Sequence, residues 1–381
     1  MTFIPPLDLK TQYKTIQADV DAAVLAVLAS GQYIKGDYVE RFEQEFSSYT
    51  GTSHCIACNS GTDALLLALR AFDIGPGDEV ITSPFTFIAT AEVISTTGAT
   101  PVFVDIEADG FNIDCDAIAA AITPRTRAIM PVHLFGQPAN MSILMDIAQS
   151  HNLKVIEDCA QATGATWHRQ RVGAIGHVGC FSFYPTKNLG AFGDGGAVTT
   201  NDEAIANTIR MLSDHGRKQG YYHEAVGVNS RLDAVQAAIL SVKLNYLDQW
   251  NAQRQNIAAN YARLLAPIPG IRLPQLSDEG ASVWNQYTIR IDGNSTVTST
   301  EVLARDHVRR SLQENNVGSA VYYPLPLHLQ PVYHSLKYRP GQLPRSEQVA
   351  NEVLSLPMFP ELALEQQEHI TYALKDSMHN T

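Results

Sequence analysis

The run Gly179-Cys180-Phe181-Ser182-Phe183-Tyr184-Pro185-Thr186-Lys187-Asn188-Leu189-Gly190 leads an apolar stretch up to a single lysine, and the glycine-dense Gly193-Asp194-Gly195-Gly196 follows it. An amine at the end of a buried run is stripped of water, which lowers its pKa and frees it to attack a carbonyl. Glycines let backbone pass close to a bulky ligand. Taken alone, the stretch fits a strand that ends in a solvated lysine equally well.

Two further groups stand where α/β proteins bind ligands, beyond the carboxyl ends of strands. Asn59-Ser60-Gly61-Thr62-Asp63 opens a helix predicted over Ala64–Phe72. Its N–H groups and the helix dipole suit a phosphate, with the Thr62 hydroxyl as an extra donor; a plain capping turn is the other reading. Asp158 closes the apolar Val155-Ile156 strand and precedes Cys159-Ala160-Gln161-Ala162, while Glu157 faces the opposite side. A carboxylate there is either a helix cap or the partner of a cationic ring nitrogen, which an electron sink must keep protonated. A lysine amine, a strand-end aspartate and a phosphate cradle are together the parts that hold pyridoxal phosphate.

The elements that must position these groups alternate. Helical spacing over residues 10–29 and Tyr38–Tyr49, the latter with Phe42 and Phe46 on one face, precedes a strand at Cys55–Cys58. Strands at Glu79–Thr82, Pro101–Val104, Thr126–Val132, Lys154–Ile156, Gly179–Phe183 and Gly196–Thr199 are interleaved with helices at Ala89–Thr97, Met141–His151 and Glu203–Leu212. This alternation predicts an α/β layered domain with a mostly parallel sheet. Helices dominate Ser230–Leu265, and the proline-rich Pro267–Pro274 marks a passage between domains. A half-exposed strand at Gln286–Ile291, helices at Thr300–Asn315 and Arg345–Leu354, and a short strand near Val321 predict a smaller α+β unit. The division is a large domain over residues 1–250 and a small one over residues 251–381.

The 381 residues, 45% hydrophobic and 17% charged, suit a globular enzyme with a substantial core. A net charge of −12 argues against nucleic acid and against an anionic membrane as partners. No apolar run approaches a membrane span, and the opening ten residues lack a signal peptide's layout, so a cytoplasmic protein is expected. Cys55-Ile56-Ala57-Cys58 has the spacing of half a metal or redox site, but no second pair completes it, and two buried thiols on a strand are expected instead; no metal is called for.

The order of motifs resembles the DegT/DnrJ/EryC1/StrS sugar aminotransferases, fold-type I pyridoxal-phosphate enzymes. The matching stretches are Asn59-Ser60-Gly61-Thr62-Asp63-Ala64-Leu65, Gly75-Pro76-Gly77-Asp78-Glu79-Val80, Thr86-Phe87-Ile88-Ala89-Thr90 and Pro131-Val132-His133-Leu134-Phe135-Gly136-Gln137. The Gly36–Tyr49 region with Phe42-Glu43, Glu157-Asp158-Cys159-Ala160-Gln161, Phe181–Asn188, Asn229-Ser230-Arg231-Leu232-Asp233 and Leu354-Ser355-Leu356-Pro357 complete the set. The resemblance implies an aspartate aminotransferase-like α/β fold with pyridoxal 5′-phosphate as cofactor. It implies that Lys187 forms the internal aldimine and then shuttles a proton, that Asp158 pairs with the pyridinium nitrogen, that Phe87 stacks on the ring and that Gln161 lies near its 3-hydroxyl. Gly61, Thr62 and Ser182 would grip the phosphate, joined by Asn229 of the partner subunit in a two-fold homodimer with shared active sites. Thr163 and His177 depart from the commoner residues of the family, and His177 is expected to be a partly exposed structural residue.

The same resemblance implies transfer of an amino group from L-glutamate to a nucleotide-linked keto sugar. Gln161 and Phe87 follow the pattern of enzymes acting at C3, where those acting at C4 often place His and Trp. A dTDP-3-keto-6-deoxyhexose is the expected acceptor, with a UDP-linked 3-keto sugar acid and a C4 keto sugar as alternatives. Tyr184, Tyr322, Tyr323 and His328 are candidates for sugar contacts, and Tyr33, Lys35 and Arg231 for the nucleotide end; tyrosines in such loops also pack dimer seams. A dehydratase on this scaffold would carry histidine in place of Lys187, a non-catalytic regulator would have lost Lys187, Asp158 or the Ser60–Thr62 cradle, and a nicotinamide dehydrogenase would need a Gly-x-Gly-x-x-Gly turn that is missing.

Overall fold

The computed structural model describes residues 2–292 and 303–379. Helices α1 (Leu9–Ser30) and α2 (Asp37–Thr50) lead into β1 (His54–Cys58), α3 (Gly61–Ala71), β2 (Glu79–Thr82), α4 (Ala89–Thr96), β3 (Thr100–Phe103), α5 (Cys115–Ala121), β4 (Thr126–Met130), α6 (Met141–His151) and β5 (Lys154–Asp158). A small hairpin, β6 (Thr166–Trp167) and β7 (Gln170–Arg171), precedes β8 (Val178–Ser182), β9 (Gly196–Thr200) and α7 (Glu203–Leu212). A second hairpin, β10 (Arg217–Gln219) and β11 (Tyr222–His223), is followed by α8 (Ala234–Leu244), α9 (Leu247–Leu265), β12 (Ile271–Arg272), β13 (Gly280–Ala281) and β14 (Tyr287–Ile291). Helices α10 (Ala304–Glu314) and α11 (Pro344–Glu352), strand β15 (Val353–Leu356) and α12 (Leu364–His379) complete the described chain.

Seven strands form the central sheet in the order β1-β9-β8-β5-β4-β2-β3. β9 pairs antiparallel with both its neighbours, and every other pairing is parallel. The carboxyl ends of β1, β2, β4, β5 and β8 therefore open on one edge of the sheet, and β9 begins there with Gly196, opposite Cys58 and Ser182. β4 stops at Met130 rather than Val132 because Pro131 has no N–H for the ladder, and a lone parallel bridge joins Val132 to Asp158 beyond it.

Helix α3 begins three residues earlier than the apolar pattern indicates, because Ser60 caps it by accepting from the Asp63 N–H at 3.1 Å. Gly61 and Thr62 thus lie in its first turn. Strand β14 is fully buried rather than half exposed. Tyr287, Ile289 and Ile291 face the apolar core shared with α9, α10 and α12, while Thr288 and Arg290 on its other face are paired with Ser355 at 2.8 Å and Glu352 at 2.7 Å. Helix α11 ends at Glu352, two residues before Leu354, because Val353–Leu356 pairs with β14. Near Val321 only a bridge from Ala320 to Ser355 forms, and the first residues of the helix expected from Thr300 lie outside the described residues. Ile4 packs in the same core as the C-terminal elements.

The face of the sheet beneath α2 and α8 is filled by phenylalanines. Phe46 is fully buried and meets Phe181 and Phe183 edge-on at 5.0 and 5.2 Å between ring centres. These two rings stand on the strand and turn that deliver Lys187. Phe46→Ala should cost about 3–5 kcal/mol of stability, read as a lower denaturant midpoint; an unchanged midpoint would contradict this packing.

Candidate active site

At the shared edge of the sheet, three backbones crowd together. A Cβ on Gly61 would lie 2.6 Å from Ser182 Cβ, and one on Gly196 would lie 2.3 Å from the Ser60 carbonyl oxygen. Both positions therefore exclude a side chain, and the first amides of α3 stand beside Ser182 at the end of β8. Helix amides without intrahelical partners, the dipole and the nearby Thr62 and Ser182 hydroxyls are groups that suit an anion.

Asp158 is buried at the end of β5. Its Oδ2 accepts from the Thr90 hydroxyl at 2.9 Å and its Oδ1 from the Ala160 N–H at 3.1 Å. Burial raises its pKa, and the Thr90 and Ala160 hydrogen bonds and the charge of Lys187 work against that rise. Gln161 stands in the turn that follows β5. Its Oε1 accepts from the Phe135 N–H at 2.7 Å, and its Nε2 donates to the Tyr323 hydroxyl at 3.1 Å. Tyr323 in turn lies 6.3 Å, ring centre to ring centre, from Phe87. Phe87 is 55% exposed, so its ring presents an apolar face at the mouth of the site. The structure thus brings Asp158, Gln161, Phe87 and Tyr323 into one connected group. Cys159, in the same turn as Gln161, is buried with a free thiol, as are Cys55, Cys58, Cys115 and Cys180.

Lys187 follows β8 in a turn closed by its own N–H donating to the Tyr184 carbonyl at 2.9 Å. Burial lowers its pKa to about 8, and the charge of Asp158 opposes the shift. The amine is therefore near its midpoint at a pH where a surface lysine stays fully charged. Lys243, buried behind the same turn, donates to the Gly190 carbonyl and lies 5.3 Å from the centre of the Phe192 ring.

The residues expected at the nucleotide end gather elsewhere, around Asp214. Lys35 and Arg231 reach its carboxylate at 2.6 Å each, and Arg217 joins them at 3.0 Å. Burial alone would raise the pKa of Asp214, but the hydrogen bonds from Lys35, Arg217 and Arg231 outweigh it and hold the carboxyl well below its ordinary range. A cavity of about 240 Å³ lies alongside, lined by Lys35, Glu43, Arg210 and Arg231 among others. Asn229 is exposed and its backbone bridges Asp214; Tyr33 is exposed, its hydroxyl donating to the Leu28 carbonyl at 3.3 Å. Tyr184 is exposed beside Lys187, and Tyr322 is half-buried against Tyr323. His328 is buried; its Nε2 shares a 3.1 Å hydrogen bond with Glu347, while its buried Nδ1 has no hydrogen-bond partner among the described residues.

Sequence reasoning missed Thr90, in the first turn of α4 and four residues after Thr86; the two hydroxyls are 3.1 Å apart. It also missed the pair His133 and Glu157. His133 Nδ1 accepts from the Ala139 N–H at 3.0 Å, so Nε2 carries the proton that it donates to Glu157 at 3.0 Å. Glu157 further accepts from the N–H groups of Gly173, Ile175 and Gly176. The ligand atoms of His133, Glu157 and Cys159 lie within 4.8 Å of one another, but these hydrogen bonds already occupy both carboxylate oxygens and both ring nitrogens. His177 is half-buried and structural, its Nδ1 accepting from the Val155 N–H at 3.0 Å.

The sequence pattern of the DegT/DnrJ/EryC1/StrS aminotransferase family matches residues 14–375. The chain belongs to this family. It is 48% identical over 96% of its length to a Geobacillus stearothermophilus protein called a pleiotropic regulatory protein, matching 96% of that chain. It is 45% identical over 98% of its length to the dTDP-3-amino-3,4,6-trideoxy-alpha-D-glucose transaminase of Streptomyces venezuelae, matching 96% of that chain. Its fold matches the crystal structure of S. venezuelae DesV in complex with a ketimine intermediate, with a TM-score of 0.95, 44% identity and full coverage of both chains. It also matches a Bacillus subtilis protein, NtdA, solved with bound cofactor PMP, with a TM-score of 0.86, 34% identity and coverage of 95% of this chain and 82% of that one.

As a member of this aminotransferase family the chain is a pyridoxal-phosphate enzyme, and its residues fit that group. Gly61 and Gly196 let the chain segments at the strand ends close together around the first amides of α3, Asp158 supplies a buried carboxylate, and Lys187 supplies an amine with a lowered pKa. Among the described residues, no helix is long and apolar enough to cross a membrane.

Two outcomes follow. Gly61→Ala should weaken uptake of pyridoxal phosphate by about tenfold or more, since relieving a clash of this kind costs about 1–3 kcal/mol; absorbance titration of the cofactor-free protein measures it, and unchanged affinity would contradict the cradle. Lys187 gives up its proton at about 8 when folded and at 10.5 when unfolded, so between those values the unfolded chain binds more protons and stability rises with pH. In cofactor-free protein, the stability advantage of Lys187→Met over the wild type should therefore shrink between pH 8 and 10.5, and a constant or growing gap in urea midpoints would contradict it.

Proposed function

We propose that this protein moves an amino group from L-glutamate to the C3 ketone of a nucleotide-linked keto sugar, with a dTDP-3-keto-6-deoxyhexose as acceptor. The observation that carries the reading is a desolvated lysine amine and a buried carboxylate at neighbouring strand ends, beside a cradle from which side chains are excluded. The kinship with a dTDP-3-amino sugar transaminase supports the choice of acceptor. The regulatory name of the Geobacillus relative suggests another role, but Lys187, Asp158 and the Ser60–Thr62 cradle all remain here, which supports turnover.

When bound, the cofactor supplies an electrophilic carbon for the amine and a cationic ring that takes up electrons. Asp158, whose carboxylate accepts hydrogen bonds from Thr90 and the Ala160 N–H, would pair with the ring nitrogen and hold it protonated. Gly61, Thr62 and Ser182 would bind the phosphate, Phe87 would cover one face of the ring, and Gln161 would orient its hydroxyl edge. Lys187 Nζ would accept a proton from the substrate carbon and return it, a task suited to an amine with a pKa near the working pH. Tyr184, Tyr322 and Tyr323 border this group and would meet the sugar. Lys35, Arg231 and Tyr33 would face the nucleotide, and Asn229 of the partner subunit would complete the phosphate site in a cytoplasmic homodimer.

The test is incubation with glutamate and a panel of dTDP- and UDP-linked 3-keto and 4-keto sugars, followed by mass and NMR analysis of the product. An amine at C3 of a dTDP sugar is expected, and Lys187→Ala should lower turnover by about a hundredfold or more. Turnover of a 4-keto sugar with no reaction of any 3-keto sugar would overturn the regiochemistry, and failure to take up pyridoxal phosphate would overturn the whole reading.

A further inference from the structure

The residue after Lys187 is a buried asparagine that the reading above leaves without a task. Asn188 is 3% exposed. Its Nδ2 donates to Asn251 Oδ1 at 2.8 Å and to the Val283 carbonyl at 2.9 Å, and its Oδ1 accepts from Asn285 Nδ2 at 2.8 Å. The Val283 carbonyl can only accept, so the carboxamide has one orientation; turned over, it would set two acceptors face to face. Asn251, on α9, also donates to the Thr163 carbonyl at 3.1 Å.

The partners of Asn188 lie in a segment that also governs the other side of the site. Val283 N–H and Ser282 Oγ both donate to the Gly136 carbonyl at 3.0 Å. Gly136 has φ +92°, and a Cβ there would lie 2.9 Å from the nitrogens of Trp284 and Asn285, so the segment can approach only because residue 136 is glycine. The neighbouring Phe135 N–H is the donor that orients Gln161. Residues 282–286 therefore form a strut between the turn that carries Lys187 and the backbone that orients Gln161.

We propose that Asn188 is a positioning residue, whose carboxamide locks the Lys187 turn to the 282–286 strut and so fixes the direction from which the amine meets the cofactor. The inference rests on the proposed pyridoxal-phosphate reading. A merely structural asparagine cluster would alter melting temperature alone, whereas a positioning residue alters the chemical step. Displacement of a reacting group by about 1 Å can cost about a hundredfold in rate.

The test uses pyridoxal-phosphate-loaded holoenzyme of the wild type, Asn188→Ala, Asn285→Ala and the double variant. Melting temperature, the pH midpoint of cofactor absorbance, and kcat and KM with glutamate are measured on each. Asn188→Ala should lower kcat by about 10- to 100-fold with little change in KM and with a displaced pH midpoint. Asn285→Ala, which removes a single hydrogen bond, should do the same to a smaller degree, and the double variant should fall little beyond Asn188→Ala because the two act through one contact. Wild-type kcat and midpoint in both single variants would overturn the proposal, as would wild-type values in Asn285→Ala should Asn188→Ala fail to fold. Wild-type protein that loads no cofactor would instead sink the functional reading itself.

Discussion

A buried carboxylate and a half-buried amine, both of which would rather be charged in water, are brought together beyond adjacent strands, and the rest of the site depends on that constraint. The parallel pairing of β5 with β8 sets Asp158 opposite Cys180, so the chain leaving β8 through Ser182 must carry Lys187 past the carboxylate. Burial pushes the two pKa values toward each other, raising the acid and lowering the amine, while their mutual attraction resists both shifts. Thr90 and the Ala160 N–H add donors to the acid side only. The result is a buried carboxylate held by two donors beside an amine whose pKa is lowered to about 8.

The architecture was largely legible because it is written in short-range pattern. Alternating apolar strands and amphipathic helices indicated the parallel sheet, and the strand ends followed from it. What escaped depended on partners remote in sequence. β14 reads as half exposed because Thr288 and Arg290 are polar, yet each is matched by a residue in or beside β15 and the strand is buried on both faces. Val353 and Leu354 continue a helical pattern until pairing with β14 claims them. Helix α3 starts early because a serine hydroxyl, not an apolar residue, defines its first turn.

At the candidate site, the residues the sequence singles out are those whose type carries chemistry near a strand end: Lys187, Asp158, Gly61 and Ser182. Those missed act by holding others. Thr90, Asn188 and the His133–Glu157 pair have ordinary side chains whose roles come from partners distant in the chain. Among the sugar-contact candidates, Tyr323 joins Gln161 and Phe87, while His328 is buried with its Nε2 hydrogen-bonded to Glu347. Lys35 and Arg231 share one carboxylate with Arg217, so the cluster retains excess positive charge beside a cavity.

In the proposed function one lysine, Lys187 rather than its buried neighbour, is the amine that would meet the cofactor. Lys243 is the natural control, since burial lowers its pKa to about 8 as well. The decisive measurement is borohydride treatment of the pyridoxal-phosphate-loaded protein, followed by digestion and peptide mass analysis. The expected result is the cofactor's mass on the peptide that contains Lys187 and on no other. No added mass, or mass on the Lys243 peptide with the Lys187 peptide unchanged, would contradict it.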